Sequence, residues 1–165
     1  MRSRLLACGL NEAVTHTLTS PALMARMALE TDDVAASGPK IWRRLVADPL
    51  SVGEEGASVE PVCLLNPASS DRQVMRVMLV PSLLDIVSKN LKHDQERVAF
   101  FEVARTFFPR GNDALAFEPR TLGIAASGLR RPRTWADAEP GPFTYFDIKG
   151  IIEAVLDEMQ IEDWT

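Results

Sequence analysis

Glu102 stands inside the most apolar extended run of the chain, Arg97 to Phe108, between Phe101 and Val103. A carboxylate there must find donors, because an isolated buried charge is costly. It can pair with a nearby guanidinium, Arg76 or Arg105, as part of the framework. The competing chemistry is a carboxylate that grips substrate, and the framework reading is the better supported. Three arginines fall within four positions, Arg130-Arg131-Pro132-Arg133, the one dense basic cluster of the sequence. Clustered guanidiniums displace counterions from phosphates, so these three are candidate RNA contacts. A solvated loop is the better-supported reading of them.

The remaining reactive residue types are scattered. His16 alternates with threonines, as a packed or hydrogen-bonded ring does, and His93 ends a helical pattern, where a cation suits the dipole. Cys8 and Cys63 lie far apart without a CxxC pair, which makes neither a disulfide framework nor a zinc site. Both read as small core residues in a reducing, cytoplasmic setting. Asp32-Asp33 and Glu54-Glu55 occur in a weakly patterned stretch and read as solvated. No glycine-rich phosphate loop and no GxSxG elbow occurs. No catalytic, cofactor-binding or metal-ligating residue is therefore assigned.

The whole-chain numbers agree with that restraint. The 165 residues carry a net charge of -5, which argues against a dedicated nucleic-acid binder, though not against a piece of a larger RNA-handling assembly. The 46% hydrophobic and 25% charged residues are those of an ordinary globular domain. No apolar run approaches the ~20 residues needed to span a bilayer. The basic and apolar start, Met1 to Leu10, is cut short by Asn11-Glu12 and reads as a first helix rather than a secretory signal.

These residues need elements to position them. Residues 2–9 read as a helix end with Gly9 as its cap. Glu12 to Thr19 alternates and predicts a strand. Ser20-Pro21 starts a helix, with Ser20 as cap and Leu23, Met24, Met27 and Ala28 on its apolar face. Residues 31–58 predict an exposed excursion, with a turn of helix over Ile41 to Val46. Val59 to Leu65 predicts a strand stopped by Asn66-Pro67, and Ser69-Ser70-Asp71 a helix start before Arg72 to Met75. Pro81 opens a helix from Ser82 to Lys92, with Leu83, Leu84, Ile86, Val87 and Leu91 at helical spacing and Asp85, Lys89 and Lys92 facing away.

Arg97 to Phe108 carries apolar residues on both faces and predicts a central strand. Pro109 to Asp113 reads as a turn, and Arg120 to Leu129 as a further strand. A polar, Pro-rich loop runs from Arg130 to Pro142. Thr144 caps a helix from Tyr145 to about Gln160, and Asp147 stands at capping-box spacing from it. Helices and strands mix without regular βαβ alternation. The expectation is therefore one α+β domain over residues 1–165 with an antiparallel sheet flanked by helices.

Three segments together resemble the β subunit of bacterial-type phenylalanyl-tRNA synthetase. The first is Asn66-Pro67, then Met75-Arg76, then Leu79-Val80-Pro81-Ser82-Leu83-Leu84, then Asn90. The second is Phe101-Glu102-Val103-Ala104-Arg105-Thr106-Phe107, similar to the family's Phe-Glu-Ile-Gly-Arg-x-Phe. The third is Trp135, followed by Phe146-Asp147-Ile148-Lys149-Gly150, similar to Phe-Asp-Leu-Lys-Gly. Asn11-Glu12-Ala13-Val14-Thr15 is similar to the start of that region. The order and spacing of these motifs carry the likeness, which spans all but residues 31–58. Ala104 and Met78 depart from it, where the family has glycine and Ser or Thr.

The resemblance implies a fold like a class II synthetase core and a role without catalysis. In active class II cores the strand like Arg97–Phe108 runs on into an arginine that grips the α-phosphate of ATP, a charge-assisted contact. Phe108 or Pro109 stands at that place here, and neither can donate to a phosphate. The resemblance further implies a fragment of a longer chain. Its partner would be an α subunit in an α2β2 assembly that ligates phenylalanine to tRNA(Phe). ATP and Mg2+ would serve that assembly through other regions, with no cofactor in this chain. A free-standing ATP-binding enzyme and a tRNA-contacting module are the competing functions.

Overall fold

The structure is a computed structural model that describes residues 1–25, 61–110 and 114–161. The excursion expected over 31–58, with its two acidic pairs and its turn of helix, lies outside the described residues. So do Met27, Ala28 and residues 111–113. The described chain divides into two compact units, the first built from residues 1–15, 82–104 and 122–165, the second from 16–81 and 105–121.

In the first unit, α1 (Arg2–Ala7) ends as expected. Cys8 is its cap and Gly9 adopts φ +81, the left-handed turn that glycine enters without steric cost. The chain then enters β1 (Asn11–Glu12), which pairs in parallel with β4 (Arg97–Arg105). β7 (Arg120–Gly128) lies on the other side of β4, so β4 is the central strand. Leu129 donates its N–H to Glu96 O at one end of the β4–β7 pair and Thr106 donates to Pro119 O at the other, which makes the pair antiparallel. Phe101, Leu5, Leu10, Ala99 and Val155 form the core, with Phe101 and Leu5 fully buried. Each such side chain contributes about 2 kcal/mol by leaving water. Cys8 is half-buried against this core.

Two helices complete the first unit. α3 (Val80–Leu91) buries Leu83 and Val87, while Leu84 and Leu91 stay 45% and 40% exposed. Lys89 pairs with Asp85 on its outer face. α4 (Tyr145–Glu158) buries Val155 against the core. Its start matches the expected capping chemistry: the Thr144 N–H and hydroxyl both donate to Asp147 Oδ2, each at 2.7 Å. The hydroxyl bond first, then the backbone bond, hold the Asp147 carboxyl below its ordinary value of 3.8. A carboxyl depressed on folding stabilises the fold above that ordinary value and loses its contribution as pH falls through the lowered one. Thr144→Ala should weaken α4 by about 1 kcal/mol. In an acid titration of helicity, the gap between wild type and Asp147→Asn should close below about pH 4. A gap that stays constant down to the lowest pH would contradict this reading.

In the second unit, α2 (Pro21–Ala25) starts as predicted, with the Leu23 N–H bonded to the Ser20 hydroxyl at 3.0 Å. β2 (Leu18–Thr19) pairs antiparallel with β3 (Val74–Met75), Leu18 opposite Met75 and Thr19 opposite Val74. β5 (Phe108–Arg110) and β6 (Ala114–Phe117) form an antiparallel hairpin. Val74, Leu79, Thr106 and Phe107 are buried here, and the Thr106 and Thr121 hydroxyls meet at 3.0 Å.

Several expectations are corrected. The alternation from Glu12 to Thr19 is not one strand: β1 ends at Glu12, and Leu18–Thr19 belongs to a different sheet. Val59 to Leu65 contributes, within the described residues, only an isolated bridge from Cys63 to Val74. Ser70–Arg72 is one 3-10 turn, and the chain is extended again by Val74, where a helix was expected to run to Met75. Pro109 and Arg110 continue a strand instead of turning. The register shifts between Phe108 and Arg110, and such an irregularity accommodates a residue that has no N–H to give. Cys63 is exposed, its thiol against Pro61 O, rather than a core residue.

The class is nonetheless the expected α+β, with antiparallel pairing in all three sheets and one parallel pair at β1.

Candidate functional site

Glu102 is 2% exposed on β4. Thr15 donates to it twice, N–H to Oε1 at 3.1 Å and hydroxyl to Oε2 at 2.7 Å. This explains why the strand that begins at Asn11 stops early. Ala13 still donates its N–H to Phe101 O at 2.8 Å, but the next inward N–H, that of Thr15, goes to a side chain. Both carboxylate oxygens thus accept from the chain's own backbone and hydroxyl. Arg105 is committed elsewhere: it is exposed and pairs with Glu118 at 2.7 Å.

Arg76, 3% exposed, follows β3 in the second unit. Its Nε donates to Arg105 O at 3.1 Å and its Nη1 to His16 O at 3.5 Å. Its backbone is used on both sides, N–H to Thr17 O and carbonyl from the Phe107 N–H. Through these two bonds the buried guanidinium helps tie chain segments together. His16 is hydrogen-bonded, as expected, with Nε2 3.1 Å from Arg72 Nη2.

Phe108 opens β5. Its ring lies 6.5 Å from that of Phe117 across the β5–β6 hairpin. An aromatic pair so placed is packing, with no donor for an anion. Among the described residues no group of three or more His, Cys, Asp or Glu could hold a metal ion.

The other expected residues are dispersed over the two units. Asn66 and Pro67 are exposed in a bend, and Pro81 is buried in the first turn of α3. Asp147 serves the α4 cap. Lys149 pairs with Glu153 one turn on. Gly150 is exposed, and a Cβ built on it meets nothing within 4 Å. Arg133 is anchored, Nε to the Glu96 carboxylate at 3.1 Å and Nη1 to Ala138 O at 2.9 Å. Arg130 and Arg131 are exposed, and among the described residues neither guanidinium makes an ion pair. Sequence reasoning missed Thr15 and Gly128. Thr15 meets Glu102 across 87 residues, a pairing no local pattern announces.

Among the described residues no helix is long and apolar enough to cross a membrane. Residues 1–165 match the family described as the phenylalanyl tRNA synthetase beta chain CLM domain. The chain is similar to the phenylalanine--tRNA ligase beta subunit of Symbiobacterium thermophilum, 33% identical over 162 residues, covering 98% of this chain and 16% of that protein. The corresponding subunit of Bacillus subtilis is 30% identical over 163 residues, covering 99% of this chain and 17% of its own length. The chain therefore spans about a sixth of the length of these relatives. A solved pyrrolysyl-tRNA synthetase from Desulfitobacterium hafniense superposes with a TM-score of 0.52 at 13% identity, covering 98% of this chain and 44% of that one. At that identity the likeness concerns the fold alone.

Proposed function

The chain belongs to the phenylalanyl-tRNA synthetase β-chain CLM family, and from that membership we propose that it is a noncatalytic, core-like region supporting an α subunit that ligates phenylalanine to tRNA(Phe). The observation that carries the proposal is Phe108. Its ring packs toward Phe117, and by the resemblance Phe108 or Pro109 stands where a working core presents a guanidinium to ATP. ATP and Mg2+ then act through other regions of an α2β2 assembly in the cytoplasm, and the 165 residues form one module of a longer subunit. A free-standing ATP-binding enzyme is disfavoured by the same ring pair.

An exposed apolar face supports a partner. Leu84 and Leu91 lie seven residues apart on α3 and remain 45% and 40% exposed beside buried Leu83 and Val87. Seven residues are two helical turns, so the two leucines line one stripe. The chain alone should show no phenylalanine-dependent ATP–pyrophosphate exchange. Exchange at a rate comparable to a complete synthetase would overturn the proposal. In co-purification with the α subunit, Leu84→Glu with Leu91→Glu should weaken association by tenfold or more, on the order of a hot-spot loss. Unchanged association would remove α3 from the interface and leave the catalytic prediction standing.

A further inference from the structure

Arg97, the first residue of β4, reaches three separate stretches of the first unit with one side chain. Its Nη2 donates to Gly9 O at 2.8 Å, where the chain leaves α1. Its Nε donates to Arg130 O at 3.3 Å, at the start of the loop that follows β7. Its guanidinium carbon lies over the Phe143 ring, 5.3 Å from the centroid, two residues before α4. Phe143 itself packs against the core and donates its N–H to Gly128 O at 2.9 Å. The two ends of the loop meet, since Leu129 bridges Pro142 and the Arg130 N–H bonds Gly141 O at 2.8 Å.

A guanidinium donates from a rigid planar fork, so bonds made by two of its nitrogens constrain each other's direction. A shift of Gly9 O draws the plane with it, and the same plane carries the contacts with Arg130 O and the Phe143 ring. The fit at Gly9 is close: a Cβ there would lie 3.2 Å from Nη2. We infer that Arg97 is a clasp through which the end of α1 controls the loop and the entry to α4, so that the three stretches loosen together. Its output is the setting of Tyr145 and Phe146, the exposed aromatic pair that opens α4. α1 and α4 also pack on each other directly, so a test has to separate the two routes. The clasp goes beyond the supporting role proposed above and does not depend on it.

Hydrogen exchange on the intact protein, read by mass spectrometry in the stretches carrying Leu10 and residues 129–143, measures local opening. Arg97→Met keeps the stem and removes the donors. It should speed exchange roughly tenfold at Leu10, Arg130 and Phe143 alike, on the order of a lost charged hydrogen bond. Gly9→Ala crowds the guanidinium from the other end and should also speed Arg130 and Phe143. In an Arg97→Met background, Gly9→Ala should add nothing at those two amides, because coupling through a shared partner is lost with that partner. The amides of Ala13, bonded to Phe101 O, and Lys92, bonded to Ser88 O, should not change in any variant. Each of four results would overturn the clasp: no acceleration, acceleration at one end only, equal acceleration at Ala13 and Lys92, or a Gly9→Ala effect on Phe143 that survives Arg97→Met.

Discussion

Gly128→Ala is expected to destabilise the first unit by about 4 kcal/mol. Gly128 closes β7 at φ +79, a conformation that costs any residue with a Cβ about 1–2 kcal/mol. Steric overlap costs more than the backbone conformation does. An added Cβ would lie 2.0 Å from Glu96 O and 2.9 Å from its carbonyl carbon. Those are backbone atoms of the neighbouring chain segment and cannot rotate away. Relief requires moving the carbonyl that accepts the Leu129 N–H at 2.8 Å, or the Gly128 carbonyl that accepts the Phe143 N–H at 2.9 Å. Urea unfolding of the variant should show a large drop in midpoint. Gly141→Ala and Gly150→Ala are the controls, since nothing lies within 4 Å of either added Cβ. Gly150→Ala should gain about 0.5–1 kcal/mol, because it sits inside α4. Equal midpoints for the three variants would refute the steric argument.

Glu102→Ala should cost about 3 kcal/mol. Glu102 is 2% exposed, and its removal takes an acceptor from both the N–H and the hydroxyl of Thr15 while leaving a buried void on β4. Thr15→Val keeps the volume and the N–H but deletes the hydroxyl donor, and should cost about 1 kcal/mol. Glu102→Gln retains an acceptor and should fall between. A double-mutant cycle over Thr15 and Glu102 should give a coupling of about 1 kcal/mol or more. Additive losses would mean that other partners hold Glu102 in place.

How much of this was legible in the sequence follows from the range of the forces involved. Ser20-Pro21 and Thr144-Asp147 are local chemistry within three residues, and both caps formed as expected. Apolar residues on both faces of Arg97–Phe108 placed β4 at the sheet centre, because burial acts on side chains whatever their partners. The alternation after Glu12 is misleading. Val14 is 90% exposed, and the residues between β1 and β2 alternate without pairing as strand. A two-residue period records only which side chains point the same way, whereas pairing also needs a neighbour in register. Pro109 misleads for a related reason: proline signals a turn in isolation, yet a register shift lets a strand carry it. The steric demand on Gly128 could not be read, since it is set by Glu96 across the sheet. The loop arginines are visible as a cluster, but only the structure separates anchored Arg133 from Arg130 and Arg131.

The first unit is threaded from three stretches of chain, and its core joins Leu5 to Val155. On a ribosome adding about 5–20 residues each second, Leu5 emerges on the order of ten seconds before Val155 is even polymerised. Until then Leu5, Leu10 and Phe101 have no lid, and the nascent polypeptide offers sticky surface to whatever is nearby. The core of the first unit therefore closes only after Val155 has left the ribosome.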